Sequence, residues 1–225
     1  MEQHHTLIHT SDSPYLEDIT AYRRLIGRLI YLTISRPDLS YSVHVLAQYM
    51  NSPQSIHWYA ALKLVRYLST TVSQGLLYAS KASPVLTALC DAYWGSCHVT
   101  RQSLTGFCVT FGGILISWRC KKQQTVSQSS AEAEYHSLVD TCCEITWLVS
   151  LLTELHLINF TLVPFFCDNQ STLYIASNPV FHECTKHIKI DCHLVRQNLQ
   201  TGLITTHIST SEQHADLFTK AMSST

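Results

Sequence analysis

Apolar residues in the N-terminal third of the chain recur at helical intervals. Leu25, Ile26, Leu29 and Ile30 make one stripe, and Leu39, Val43, Leu46, Ala47 and Met50 make a second. Trp58, Ala61, Leu62, Val65 and Leu68 make a third. Positions three and four apart share a helix face, so each set predicts an amphipathic helix. Pro37 stands just ahead of the second stripe, a place that suits a first helical turn. Three helices without strands predict a small all-α segment. The turn-forming stretches 70–75 and 80–84 close it, which divides the chain into a helical segment, 1–83, and a second domain, 84–225.

Beyond residue 84 the period shortens. Leu86–Cys90, Thr105–Phe111 and Ile114–Trp118 are short runs rich in β-branched and aromatic residues, and Gly112-Gly113 between the last two signals a hairpin. A long helix is predicted from about Ser130 to Leu155, and Leu162–Cys167 reads as a buried strand. A short helix at Leu173–Ala176, a helix at Ile188–Leu199, a strand at Leu203–Ile208 and a helix at Ala215–Met222 complete the pattern. Three strands, then alternating helices and strands, predict an α/β layered domain on a mixed sheet.

Composition narrows the class. With 46% hydrophobic residues in 225 and only seven Gly and six Pro, the chain predicts a globular fold, and no apolar run is long enough to span a membrane. The formal charge is −1, so a nucleic-acid partner would be held by local basic patches and not by a global field. Nine Cys at irregular spacing without a C-x-x-C pair, and no signal-like N-terminus, point to reduced thiols in the cytoplasm or nucleus.

Acidic residues are scarce, which makes their placement informative. Asp91 ends one apolar strand (LTALCD) and Asp168 another (VPFFCD). Strand ends are where α/β sheets place their sites, although Asp also caps turns and helices. Ser129-Ser130-Ala131-Glu132 has the form of a capping box, which gives Glu132 a structural role. Glu134 differs: at 100° per residue it lies about 40° from the centre of the stripe Tyr135, Leu138, Cys142, Ile145, Leu148, Val149, Leu152, against about 120° for Glu132. It therefore faces inward, where a carboxylate must be hydrogen-bonded or belong to a charged site. Asp216 falls in the first turn of the last predicted helix, favourable for the helix dipole. Asp91, Glu134, Asp168 and Asp216 have no Lys or Arg beside them in sequence, so bringing them together would require cations. Hard oxygen donors favour Mg2+ or Mn2+, and two such ions would clamp the attacking and leaving oxygens of a phosphoryl displacement.

The runs YRRLIGRLIYLTISRPDLSYSVHVLAQYM, CDAYWGS, SLTGFCV, ISWRCKKQQTVSQSSAEAEYHSL, FCDNQST, NPVFHECTKHIKIDCHLVR and HADLFTK follow one another along nearly the whole chain. In that order they resemble the C-terminal part of the Pol polyprotein of copia-type LTR retrotransposons. The resemblance implies a ribonuclease H-like domain with a mixed five-stranded sheet and flanking helices, preceded by a helical connection to the polymerase. It also implies that four acidic residues bind two divalent ions, Mg2+ or Mn2+, and cut the RNA strand of an RNA–DNA hybrid, leaving a 5′-phosphate and a 3′-hydroxyl. The CDA, SAEAEY, CDN and ADLFTK motifs assign those roles to Asp91, Glu134, Asp168 and Asp216.

Two basic stretches, Arg119, Lys121 and Lys122, and Lys186 and Lys189, together with Arg101, are the expected phosphate contacts; solubilising surface charge is the plain alternative. His214 or His207 is a candidate proton shuttle, set against a surface histidine without a role. Three positions depart from the family pattern: Tyr93 replaces an acidic residue, Gln128 stands where a basic one is common, and Cys184 replaces an Arg. No Y-x-D-D sequence occurs, so polymerase activity is not expected of this chain, and a separate reverse transcriptase subunit is a candidate partner. A folded remnant or a binding module without cleavage is the competing reading. His182, Cys184, His187, Cys192 and His193 crowd together, but their spacing is not a finger arrangement.

Overall fold

In a computed structural model, residues 7, 13–80, 83–157, 162–177, 189–208 and 213–221 are described. The chain divides into two compact units, Met1–Leu76 with Lys220–Thr225, and Leu77–Thr219.

The first unit is helical, with α1 (Ile19–Leu32), α2 (Ser40–Ala47) and α3 (Ser55–Thr70). The Asp18 side chain caps α1 by accepting from Ala21 N at 2.8 Å. Tyr22, Ile26 and Leu29 of α1 pack against Leu39, Val43, Leu46 and Ala61, so the three stripes meet in one core. Pro37 opens a 3₁₀ turn, Pro37–Leu39, that leads into α2. The Tyr22 hydroxyl, buried in that core, donates to Leu46 O at 2.8 Å.

The second unit is built on a five-stranded sheet in the order β3-β2-β1-β4-β5. Its strands are β1 (Leu86–Tyr93), β2 (Leu104–Phe111), β3 (Ile114–Lys122), β4 (Val163–Cys167) and β5 (Ile204–Ile208). β1 runs antiparallel to β2 and β2 to β3, whereas β1–β4 and β4–β5 are parallel. The sheet is mixed, as the sequence predicts.

Helix α4 (Ser130–Glu154) covers one face, with α5 (Gln170–Ser177) and α6 (Lys189–Gln200) beside it. Tyr135, Leu138, Cys142, Ile145, Leu148 and Leu152 of α4 pack on Ala88, Cys90, Phe107, Val109 and Phe165. On the other face Leu89 and Cys108 meet Ala215 and Phe218 of a closing 3₁₀ helix, His214–Phe218. That element is shorter and more tightly wound than the helix predicted at 215–222. Gly106 of β2 explains how closely it docks: a Cβ there would lie 2.6 Å from Thr219 Cγ2 and 2.9 Å from Phe218 Cβ. The cysteines whose side chains are described are free thiols, and no described helix is long and apolar enough to cross a membrane.

A candidate carboxylate metal centre

Asp91 is carried on the central strand, 2% exposed. Side chains alternate along β1, so Asp91 shares the face of Leu89, under the 3₁₀ helix. There the Thr219 hydroxyl donates to Asp91 Oδ2. From the opposite face the Ser137 hydroxyl of α4 contacts Asp91 O at 2.9 Å and Gly106 O at 3.2 Å, fixing the helix over the strand end. Cys90 and Cys167 are paired in register on neighbouring parallel strands, so Asp91 and Asp168 are the next residues at their C-terminal ends. This is the edge of an α/β sheet where chemistry is usually placed.

Glu134 enters from α4. Ser129 caps that helix by accepting from Glu132 N at 3.2 Å, and Glu132 reaches back to Gln128 N at 2.6 Å, one residue beyond a standard capping box. With Glu132 so engaged, Glu134 turns inward and is 6% exposed. Its Oε1 accepts from Ala92 N at 3.1 Å, while Oε2 is buried with no hydrogen-bond partner among the described residues. Burial, followed by the charges of Asp91, Cys167 and Asp168, pushes the Glu134 carboxyl up to about 9.

Ligand atoms of Glu134, Cys167 and exposed Asp168 all lie within 4.8 Å of one another. The chemistry of the donors fits a divalent cation: crowded carboxylate oxygens and, among the described residues, one oxygen without a partner and no basic side chain pairing with Glu134. Asp216 is half-buried in the 3₁₀ helix whose neighbours Ala215 and Phe218 pack against Leu89 and whose following residue, Thr219, holds Asp91. Asp91, Glu134 and Asp168 thus gather at one strand end, and Asp216 rides on the segment that docks beside it.

Cys167, Thr219 and Ser137 were not among the residues singled out from the sequence. Cys167 could have been found from the repeated Cys-Asp ending of two strands, because alternation places a residue before a strand-end Asp in the core. The Cys90 thiol is raised by burial and by its hydrogen bond to Cys167, which lowers the Cys167 thiol in turn. Thr219 lies in the ADLFTK run, but only the packing against Gly106 reveals its contact.

The expected phosphate contacts separate. Cys120 lies level with Asp91 across the sheet, through Gly106. Lys121 and Lys122 therefore occupy the carboxylate end of the edge strand, about 10 Å away by strand spacing. Strand alternation divides them: Arg119 and Lys121 are exposed on the α4 side, where Arg119 lies 6.0 Å from the Phe107 ring centroid, while Lys122 is half-buried on the other side, 3.9 Å from Cys97 Sγ. Arg101 is exposed, in a left-handed conformation with φ of 56°. His214 is exposed at the start of the 3₁₀ helix, and His207 stacks on Phe166 with centroids 5.2 Å apart. Lys186, His182, Cys184 and His187, and the side chains of Lys189 and Cys192, lie outside the described residues.

The second unit is thus an α/β domain, a mixed five-stranded sheet with flanking helices and a buried aspartate near the end of its central strand. Among curated proteins the chain is similar to the retrovirus-related Pol polyprotein from transposon RE2 of Arabidopsis thaliana, 42% identical over 209 residues that cover 92% of this chain and 14% of that one. It is likewise similar to the Pol polyprotein from transposon TNT 1-94 of Nicotiana tabacum, 34% identical over 203 residues, 89% of this chain and 15% of that one. The chain belongs to this family, the retrovirus-related Pol polyproteins of copia-type transposons. It spans about one seventh of the length of these relatives. No family model matches it. Among solved structures it is similar to LC11-RNase H1, isolated from compost, at 11% identity and a TM-score of 0.46 over 60% of this chain and 93% of that one.

Proposed function

We propose that this chain is a metal-dependent ribonuclease H that hydrolyses the RNA strand of an RNA–DNA hybrid. The observation that carries the reading is the buried Glu134 carboxylate, whose Oε2 has no partner among the described residues and which lies within 4.8 Å of ligand atoms of Cys167 and Asp168 at the strand end beside Asp91. A buried carboxylate oxygen without a partner is costly in a folded protein, and a cation removes the cost. Asp91, Glu134, Asp168 and Asp216 would hold a pair of Mg2+ or Mn2+ ions, which supply charge neutralisation and orientation for in-line attack of water on the phosphodiester.

The remaining steps fall to the chain's own residues. Thr219 and Ser137 hold Asp91 in place through its side chain and its carbonyl. Glu134 gives up its proton as the site fills. Lys121 and Arg119 on the edge strand contact phosphates of the hybrid without reading sequence, and the RNA strand is distinguished by its 2′-hydroxyls. His214, exposed at the start of the 3₁₀ helix, would pass a proton to the leaving oxygen. The polymerase that makes such a hybrid would be a separate subunit or another part of a longer polyprotein.

Incubation of the chain with a labelled hybrid in Mg2+ tests the reading. Cleavage of the RNA strand alone, lowered at least about a hundredfold in Asp91→Asn, is expected. A folded protein that binds hybrid but leaves the RNA intact would make it the non-cleaving module instead.

A further inference from the structure

We propose that the same strand end is also a binding site for a thiophilic divalent cation of the zinc class, held by Cys167 Sγ together with the carboxylates of Glu134 and Asp168. The inference deepens the preceding reading and rests on it for one point only, that these carboxylates accept divalent ions.

Three observations carry it. The ligand atoms of these three residues lie within 4.8 Å of one another. Tetrahedral bonds of roughly 2.0–2.3 Å place ligands about 3.5 Å apart, so modest closure of the side chains completes the site. Glu134 is 6% exposed, and its unpartnered Oε2 stands ready as a ligand. Cys167 is buried, and the Cys90 thiol donates to its sulfur, an outer partner of the kind that orients a metal ligand.

A thiol discriminates between metals in a way that carboxylates do not. Mg2+ takes oxygen donors, so Cys167 is a spectator to it. Zinc-class ions bind thiolate strongly, and one thiolate with two carboxylates leaves a fourth position open. Entry of such an ion would exchange the Cys167 proton for the metal, occupy Glu134 and Asp168, and exclude Mg2+. The consequence is a site inhibited by low concentrations of Zn2+ in the presence of excess Mg2+.

Co2+ is the probe, because a cobalt–thiolate bond adds a near-ultraviolet charge-transfer absorption that cobalt–carboxylate bonds lack. The full chain is titrated with Co2+ under a non-thiol reductant. The expected result is an absorption band that Zn2+ displaces and that Cys167→Ser abolishes. Asp168→Asn, at an exposed position that tolerates the change, is expected to weaken the Co2+ affinity read from the band at least about tenfold. A band that persists in Cys167→Ser, Co2+ bound without a band, or a band indifferent to Asp168→Asn overturns the inference. Hybrid cleavage in Mg2+ is read separately: cleavage without the band refutes the zinc-class site alone, and the band without cleavage refutes the nuclease reading alone.

Discussion

Glu134 is the residue on which the site turns. Its folded-state carboxyl titrates near 9 against 4.5 when unperturbed, so between those limits the folded protein keeps a proton that the unfolded chain releases. The unfolded state then binds fewer protons, and stability falls as pH rises through the window, by up to about 1.4 kcal/mol per unit. Glu134→Gln, a neutral isostere, is free of that loss. Melting curves without divalent ions are expected to show the variant more stable than the wild type above about pH 5, with a gain that grows toward pH 9 and then levels. Equal melting temperatures across that range would contradict a buried, strained carboxyl. Asp91 is bound differently: it is held by Thr219 and level with Gly106, so Asp91→Asn removes charge while leaving the strand in place.

Two elements clamp the strand end from opposite faces. Ser137 ties α4 to the carbonyls of Asp91 and Gly106, and Ser137→Ala leaves both without that donor. A loss of roughly 1–3 kcal/mol in urea unfolding is expected for this buried position. The 3₁₀ helix depends on Gly106: in Gly106→Ala the new methyl would meet Thr219, Phe218 and the Ala215 carbonyl, and part of that contact is backbone that cannot swing aside. The variant should lose about 1–3 kcal/mol of stability and, by displacing the segment that carries Asp216, lose hybrid cleavage beyond what stability explains. Full activity in a folded Gly106→Ala protein would show that the 3₁₀ helix takes no part in the chemistry.

Most elements were legible because their local pattern and their burial agree. The stripe of α4 distinguishes Glu134 from Glu132, β-branched and aromatic runs mark β1 to β3, and a buried apolar run and an alternating one mark β4 and β5. Strand ends were less legible. β1 extends to Tyr93 and β3 through Arg119–Lys122 because β2 pairs with both beyond their apolar stretches, and a pairing partner leaves no mark on local sequence. The apolar residues at 215–222 predict a longer helix because they suit either winding, and close docking on Gly106 selects the tighter one.

At the level of the whole molecule, a formal charge of −1 means that attraction to a polyanion must come from where the cations stand. Lys121 lies at the carboxylate end of the edge strand and Lys122 is turned to the opposite side. Hybrid affinity measured against salt concentration is expected to lose about one unit of log–log slope in Lys121→Ala, and less in Lys122→Ala. An unchanged slope in both would remove β3 from the binding surface.

Calorimetric titration of Mg2+ into the full chain at pH 7, in two buffers of different ionisation heat, counts the protons that leave as ions bind. Uptake of Mg2+ with release of roughly one proton is expected for the wild type, and uptake without that release for Glu134→Gln. Absence of Mg2+ binding, or the same proton release from the variant, would contradict a cation site at the junction of β1, β4 and α4.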